Sequence, residues 1–154
     1  MKRSHRVPRC ERGFTLIELM IVIAIIGILI GAAVIGWKTA QRSANEAATI
    51  QNLKTIAAMQ IQYYNTHSRT FATFDQLVKE QMLSSKFDGN PPNTDGYVLT
   101  MKVTPKTPTA PTSYTLNADP QTDSSGKRHF YIDSTDGSIH VNPDQAAGPN
   151  DPVQ

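Results

Sequence analysis

The chain has 154 residues, with 15 Lys and Arg against 13 Asp and Glu. Five of those cations and one of the anions fall within the first 13 residues, so residues 14–154 carry 10 against 12 and are slightly acidic. The sequence pI near 8.7 therefore reflects the N-terminal stretch. No basic patch with interleaved aromatics remains beyond it, so the pI is not read as a nucleic-acid footprint and no nucleic-acid binding is assigned.

Lys2, Arg3, Arg6, Arg9 and Arg12, opposed only by Glu11, precede an apolar run. The positive-inside rule keeps that basic segment on the cytoplasmic side of a membrane and points the remainder outward. Residues 19–37 contain no charged side chain. At 1.5 Å per residue they give about 28 Å of helix, roughly one hydrocarbon core. Glu18 stands at the edge of this run, where a carboxylate costs about 2.5 kcal/mol or more if it enters the membrane, and so calls for a partner or a function. A charge resting at the interface would cost little. A secretory signal peptide also has a basic start and an apolar stretch, and Gly31-Ala32-Ala33 imitates its cleavage site, but the apolar run continues past that point to Trp37.

The six residues Gly13-Phe14-Thr15-Leu16-Ile17-Glu18, with a short basic leader before them and an apolar run after, resemble the processing site of type IV prepilins and type II secretion pseudopilins. The resemblance extends over residues 1 to about 65. It implies cleavage between Gly13 and Phe14 by a membrane-embedded prepilin peptidase, N-methylation of Phe14, and removal of residues 1–13 as a leader. It also implies that Glu18 neutralises the Phe14 amine of a neighbouring subunit in a filament core, where an unpaired charge of either sign would be costly. Cys10 lies in the leader and is the only cysteine, so the processed chain can form no disulfide, unlike many type IV pilins. A small exported domain without that staple leans on its long helix and on neighbouring subunits.

Residues 38–46 are polar but contain neither Gly nor Pro, so the helix is expected to continue through them. Ile50, Leu53, Ala57, Ile61 and Tyr64 then recur every three or four residues as one apolar stripe. The whole reads as one helix from about Phe14 to Tyr64. Gly27, Gly31 and Gly36 interrupt its apolar half. They either allow close helix packing or weaken the helix locally by about 1 kcal/mol each relative to alanine.

Downstream, Thr73-Phe74-Asp75-Gln76 fits a capping box, with Leu77, Val78, Met82 and Leu83 as the apolar face of a short helix ending near Ser85. Residues 88–96 read as a loop. Strands are expected over 97–103 and 113–117, and a hairpin pairs 129–133 with 138–141 through Asp136-Gly137. The fold class is α+β: a long N-terminal helix, a short helix and a small antiparallel sheet. The expected divisions are a leader at 1–13, a membrane or filament-core half-helix at 14–37, a globular domain at 38–142, and a flexible tail at 143–154.

No Gly-rich phosphate loop, nucleophile elbow or HExxH motif occurs, so no catalytic role or cofactor is assigned. His129 and His140 fall on the expected hairpin, where they could face one another. Asp119, Asp123, Asp133 and Asp136 could supply oxygens to calcium, but turn formation explains them equally well, and no metal site is assigned. The expected protein is a pilin that polymerises with copies of itself, after an inner-membrane stage with its peptidase and assembly platform, into an extracellular filament. A periplasmic secretion pseudopilus and a membrane-anchored exported domain that does not polymerise are the other readings. The Asp-Pro-Trp-Gly-like turn usual in the major pseudopilin is replaced here by Lys86-Phe87-Asp88-Gly89-Asn90-Pro91, which favours the pilus.

Overall fold

The computed structural model describes residues 13–154 and confirms the α+β class. Helix α1 spans Leu16–Thr66, α2 spans Phe74–Lys79, and a single 3-10 turn covers Ser85–Phe87. Five strands follow: β1 (Asn93–Thr94), β2 (Tyr97–Thr104), β3 (Ser113–Pro120), β4 (His129–Asp133) and β5 (His140–Asn142). They form one antiparallel sheet in chain order. The chain divides into two compact units after Trp37, where the uncharged run ends.

In the unit from Lys38 onward, period-two alternation on the strands decides the core. Antiparallel register places Leu99, Ala118 and Phe130 in one row across three strands, and Met101, Leu116 and Ile132 in the next. Directly opposed residues share a face, so these rows make a continuous apolar surface. Leu53 and Ile56 of α1, Phe74 and Leu77 of α2, and Phe87 are buried in the same cluster.

The buried stripe of α1 is rotated from the expected one. Leu53 lies on it, but Ile61 is 60% exposed, and the fully buried position one turn after Ile56 is Gln60. Gln60 is a polar residue in a core position because its amide closes a two-way bridge to the Ala72 backbone: Nε2 donates to the Ala72 carbonyl (2.6 Å) and Oε1 accepts from the Ala72 N–H (2.9 Å). A hydrophobicity count assigns glutamine to the surface, so this face was displaced in the sequence reading.

The capping box of α2 is present, with Thr73 and Gln76 each bonding the other's backbone N–H. The helix is shorter than expected, however. Gln81 adopts φ 57°, and the N–H groups of Gln81 and Met82 bond the carbonyls of Val78 and Leu77, the pattern of a Schellman stop. That stop usually carries glycine, and here its sequence signal is a glutamine. Leu83 is buried, but from beyond the helix.

The expected loop over 88–96 contains β1. Asp95 (φ 54°) and Gly96 (φ 77°) form the two-residue turn that joins β1 to β2, and Thr94 pairs with Tyr97. A Cβ on Gly96 would lie 2.8 Å from the Ser125 Cβ, so the turn needs glycine for space as well as for its conformation. On the hairpin, His129 pairs with Asn142 and His140 with Tyr131, so the two histidines are not opposed. Residues 143–154 fold back over the sheet, in contrast to the expected loose tail. Ala147 is buried with its carbonyl accepting from Asn117, and Val153 bridges His140.

Candidate functional site

The described part of the site begins at Gly13. Residues 13–15 are not helical and α1 starts at Leu16, so the Gly13–Phe14 peptide lies outside regular helix. Thr15 and Glu18 determine that start. The Thr15 N–H and hydroxyl both donate to Oε2 of Glu18 at 2.8 Å, and the Glu18 N–H donates back to the Thr15 hydroxyl at 3.2 Å. This is a capping box, which satisfies helix-terminal donors that have no intrahelical acceptor. Glu18 thus has a local partner, and both bonds land on one of its two oxygens. The pairing was legible as Thr15-x-x-Glu18, although attention to the carboxylate alone passes over Thr15.

From Leu16 the helix presents apolar side chains to every side, with Phe14 88% and Trp37 73% exposed. Such a surface belongs in a membrane or against other helices. Residues 16–37 give about 33 Å of helix, enough to cross a hydrocarbon core. Helix α1 is unbroken through Gly27, Gly31 and Gly36, and a Cβ added at any of them would meet nothing within 4 Å. Their small size therefore serves no contact among the described residues. The basic leader residues Lys2, Arg3, Arg6, Arg9 and Arg12, together with Cys10 and Glu11, lie outside the described residues.

The prokaryotic N-terminal methylation motif matches residues 8–34, a span that contains the Gly13–Phe14 bond, the Thr15–Glu18 cap, Gly27 and Gly31. The chain is also 41% identical over 69 residues to the type IV major pilin protein PilA of Myxococcus xanthus (strain DK1622). Over its N-terminal segment, the chain is similar to type IV pilins. That match covers 45% of this chain and 31% of the relative's length. No solved structure matches the chain.

Among the described residues, this N-terminal segment is where an exposed apolar surface, a lone carboxylate and the matched motif coincide. Elsewhere the polar groups serve the fold. Glu46 is buried on α1, where its carboxylate accepts from the Arg128 guanidinium at 2.7 Å and from the Lys127 N–H at 3.0 Å. Burial acts to raise its pKa, but these hydrogen bonds and the Arg128 charge hold it below the ordinary carboxylate value. Asp119 bonds the His129 ring at 2.6 Å, and Asp133 accepts from the Thr135 N–H and the Tyr131 hydroxyl. Among the described residues, no three His, Cys, Asp or Glu side chains converge as a metal site would require.

Proposed function

We propose that this protein is a structural, non-enzymatic subunit that polymerises through residues 14–37 into a type IV pilus. The observation that carries the reading is an uninterrupted apolar stretch of helix over residues 16–37, exposed along its length, whose first turn holds the only charged residue in that stretch. A membrane covers that surface before assembly and copies of the same helix cover it afterwards. The precursor sits in the inner membrane with its basic leader inside, where a prepilin peptidase cleaves between Gly13 and Phe14 and Phe14 is N-methylated. An assembly platform then extracts the subunit into an extracellular filament that serves adhesion, twitching or DNA uptake.

Glu18 pairs with the new Phe14 amine of a neighbouring subunit. Its Thr15 bonds occupy only Oε2, so Oε1 can meet a cation while the helix keeps its cap. Gly27, Gly31 and Gly36 let adjacent helices approach closely in the filament core. The pilus is favoured over a secretion pseudopilus by the Lys86–Pro91 segment, which replaces the turn usual in the major pseudopilin.

Intact-mass measurement on membrane or filament material tests the reading, with a mature chain beginning at methylated Phe14 as the expected result. Gly13→Val, which puts a branched side chain beside the scissile bond, should leave full-length protein in the inner membrane. A mature start after Ala33, or normal filaments from Gly13→Val, would overturn it.

A further inference from the structure

His140 is buried at the edge of the sheet, and both of its ring nitrogens face acceptors. Nδ1 lies 2.6 Å from the backbone carbonyl of Asp151, and Nε2 lies 3.2 Å from a carboxylate oxygen of Asp136. A carbonyl can only accept, so Nδ1 carries a proton. An ionised carboxylate can only accept as well, so both bonds together require the imidazolium.

The two bonds join pieces of chain that are otherwise separate. Asp136 sits in the loop between β4 and β5, which its own carboxylate and that of Asp133 organise by accepting the N–H groups of Ser138 and Thr135. Asp151 belongs to the C-terminal segment that lies along β5. There the Val141 N–H donates to the Pro152 carbonyl, and the Gln154 N–H donates to the Ile139 carbonyl. These bonds cover backbone groups that an edge strand would otherwise leave open.

We propose that His140 is a pH-sensitive latch, in which the doubly bonded imidazolium clamps residues 148–154 over the β5 edge and loss of its proton releases them. The acidic groups in contact with it favour the imidazolium. Asp136 and Asp133 bring negative charge from the loop and from β4, the Tyr131 ring packs at 6.1 Å, and the Asp151 carboxylate is held by Asn142 and the Gly148 N–H. From α1, Lys54 shares a hollow of about 300 Å³ with Ile139 and Gln154. The bond to Asp151 and then the Asp136 carboxylate, opposed by burial, raise the His140 pKa above its ordinary 6.5. A raised folded-state pKa means that the latch is fully closed below about 6.5 and opens as pH rises through the higher, folded value.

Amide hydrogen exchange on the full chain in detergent micelles tests this, with the imidazole resonances of His140 followed over the same pH series. The protection of the Val141 and Gln154 amides, taken relative to the β2–β3 ladder to cancel the intrinsic pH dependence, should fall about tenfold across the His140 midpoint, the effect of losing one charged hydrogen bond. Asp136→Asn should move that fall to lower pH, and His140→Gln should abolish it. A flat protection ratio from about pH 5.5 to about pH 9 would overturn the latch, as would a His140 midpoint at or below the ordinary value. If His140→Gln fails to fold, Asp136→Asn decides: a fall at the wild-type pH would overturn the proposal.

Discussion

Glu18 caps its helix and, in the proposed filament, also carries a charge, and different substitutions separate these two roles. Its carboxylate caps α1 through Thr15, and a capping box accepts Gln at the same position. Glu18→Gln therefore preserves the helix start and removes only the charge. Under the proposed pairing, this leaves the Phe14 amine of a filament subunit unpaired, at a cost of about 3 to 5 kcal/mol for a buried charge. Cleavage and membrane insertion should persist while assembly fails, as counted by electron microscopy of sheared filaments from cells expressing only the variant. Wild-type filament numbers would mean that the charge does not organise assembly, and the anchored-monomer reading would then gain ground. Gln60 offers a second test at this scale, because replacing it by Leu keeps the volume and strands the Ala72 N–H and carbonyl. Each buried group left unpaired costs about 1 to 3 kcal/mol, so Gln60→Leu should lower the thermal midpoint clearly by circular dichroism. An unchanged midpoint would show that the Ala72 groups find other partners.

At the scale of elements, α1 changes its role along its length. Up to Trp37 its side chains are apolar on all sides, and from Glu46 onward it carries a polar outer face and a buried inner one. Glu46 and Asn45 fasten the β3–β4 connection to this second half, through the Lys127 N–H and the Arg128 guanidinium and through the Ser125 carbonyl. Gly126 belongs to the same joint, since a Cβ there would overlap the Tyr97 hydroxyl. The Glu46 pKa is lowered in the folded state. Its stabilisation is therefore present above the ordinary 4.5 and lost as pH falls through the lower, folded value. Denaturant unfolding of wild type and Glu46→Gln should show a stability gap at neutral pH that closes in acid. A gap independent of pH would indicate that the carboxylate's charge contributes nothing to the joint.

For the molecule as a whole, the absence of a disulfide beyond Cys10 sets the terms. The C-terminal segment is fixed by Asn117, Asn142, His140 and backbone bonds along β5, a hydrogen-bonded closure where a covalent one would otherwise serve. Such a closure can respond to pH, which a disulfide does not do directly. Stability is divided accordingly. The sheet and the second half of α1 share one core, while the apolar surface before Trp37 must be satisfied by lipid or by other chains.

Local chemistry made much of this legible from the residues alone. An uncharged run ending at Trp37, a motif over Gly13 to Glu18, a capping box at Thr73 and alternation through Tyr97, Leu99 and Met101 each depend on neighbours a few residues away. The proposed processing and assembly residues are of that kind, because a peptidase or a packed helix would read a short segment. Asp95-Gly96 was equally local and was hidden by the prolines before it. Three-dimensional structure alone decided the rest. Gln60 is buried because Ala72 lies opposite it, α2 stops at a glutamine because Leu77 can receive the returning chain, and residues 148–154 are held because Asp151 meets a histidine eleven positions earlier. Each of these depends on a partner that periodicity cannot locate, and each polar group reads as surface until its acceptor is in place.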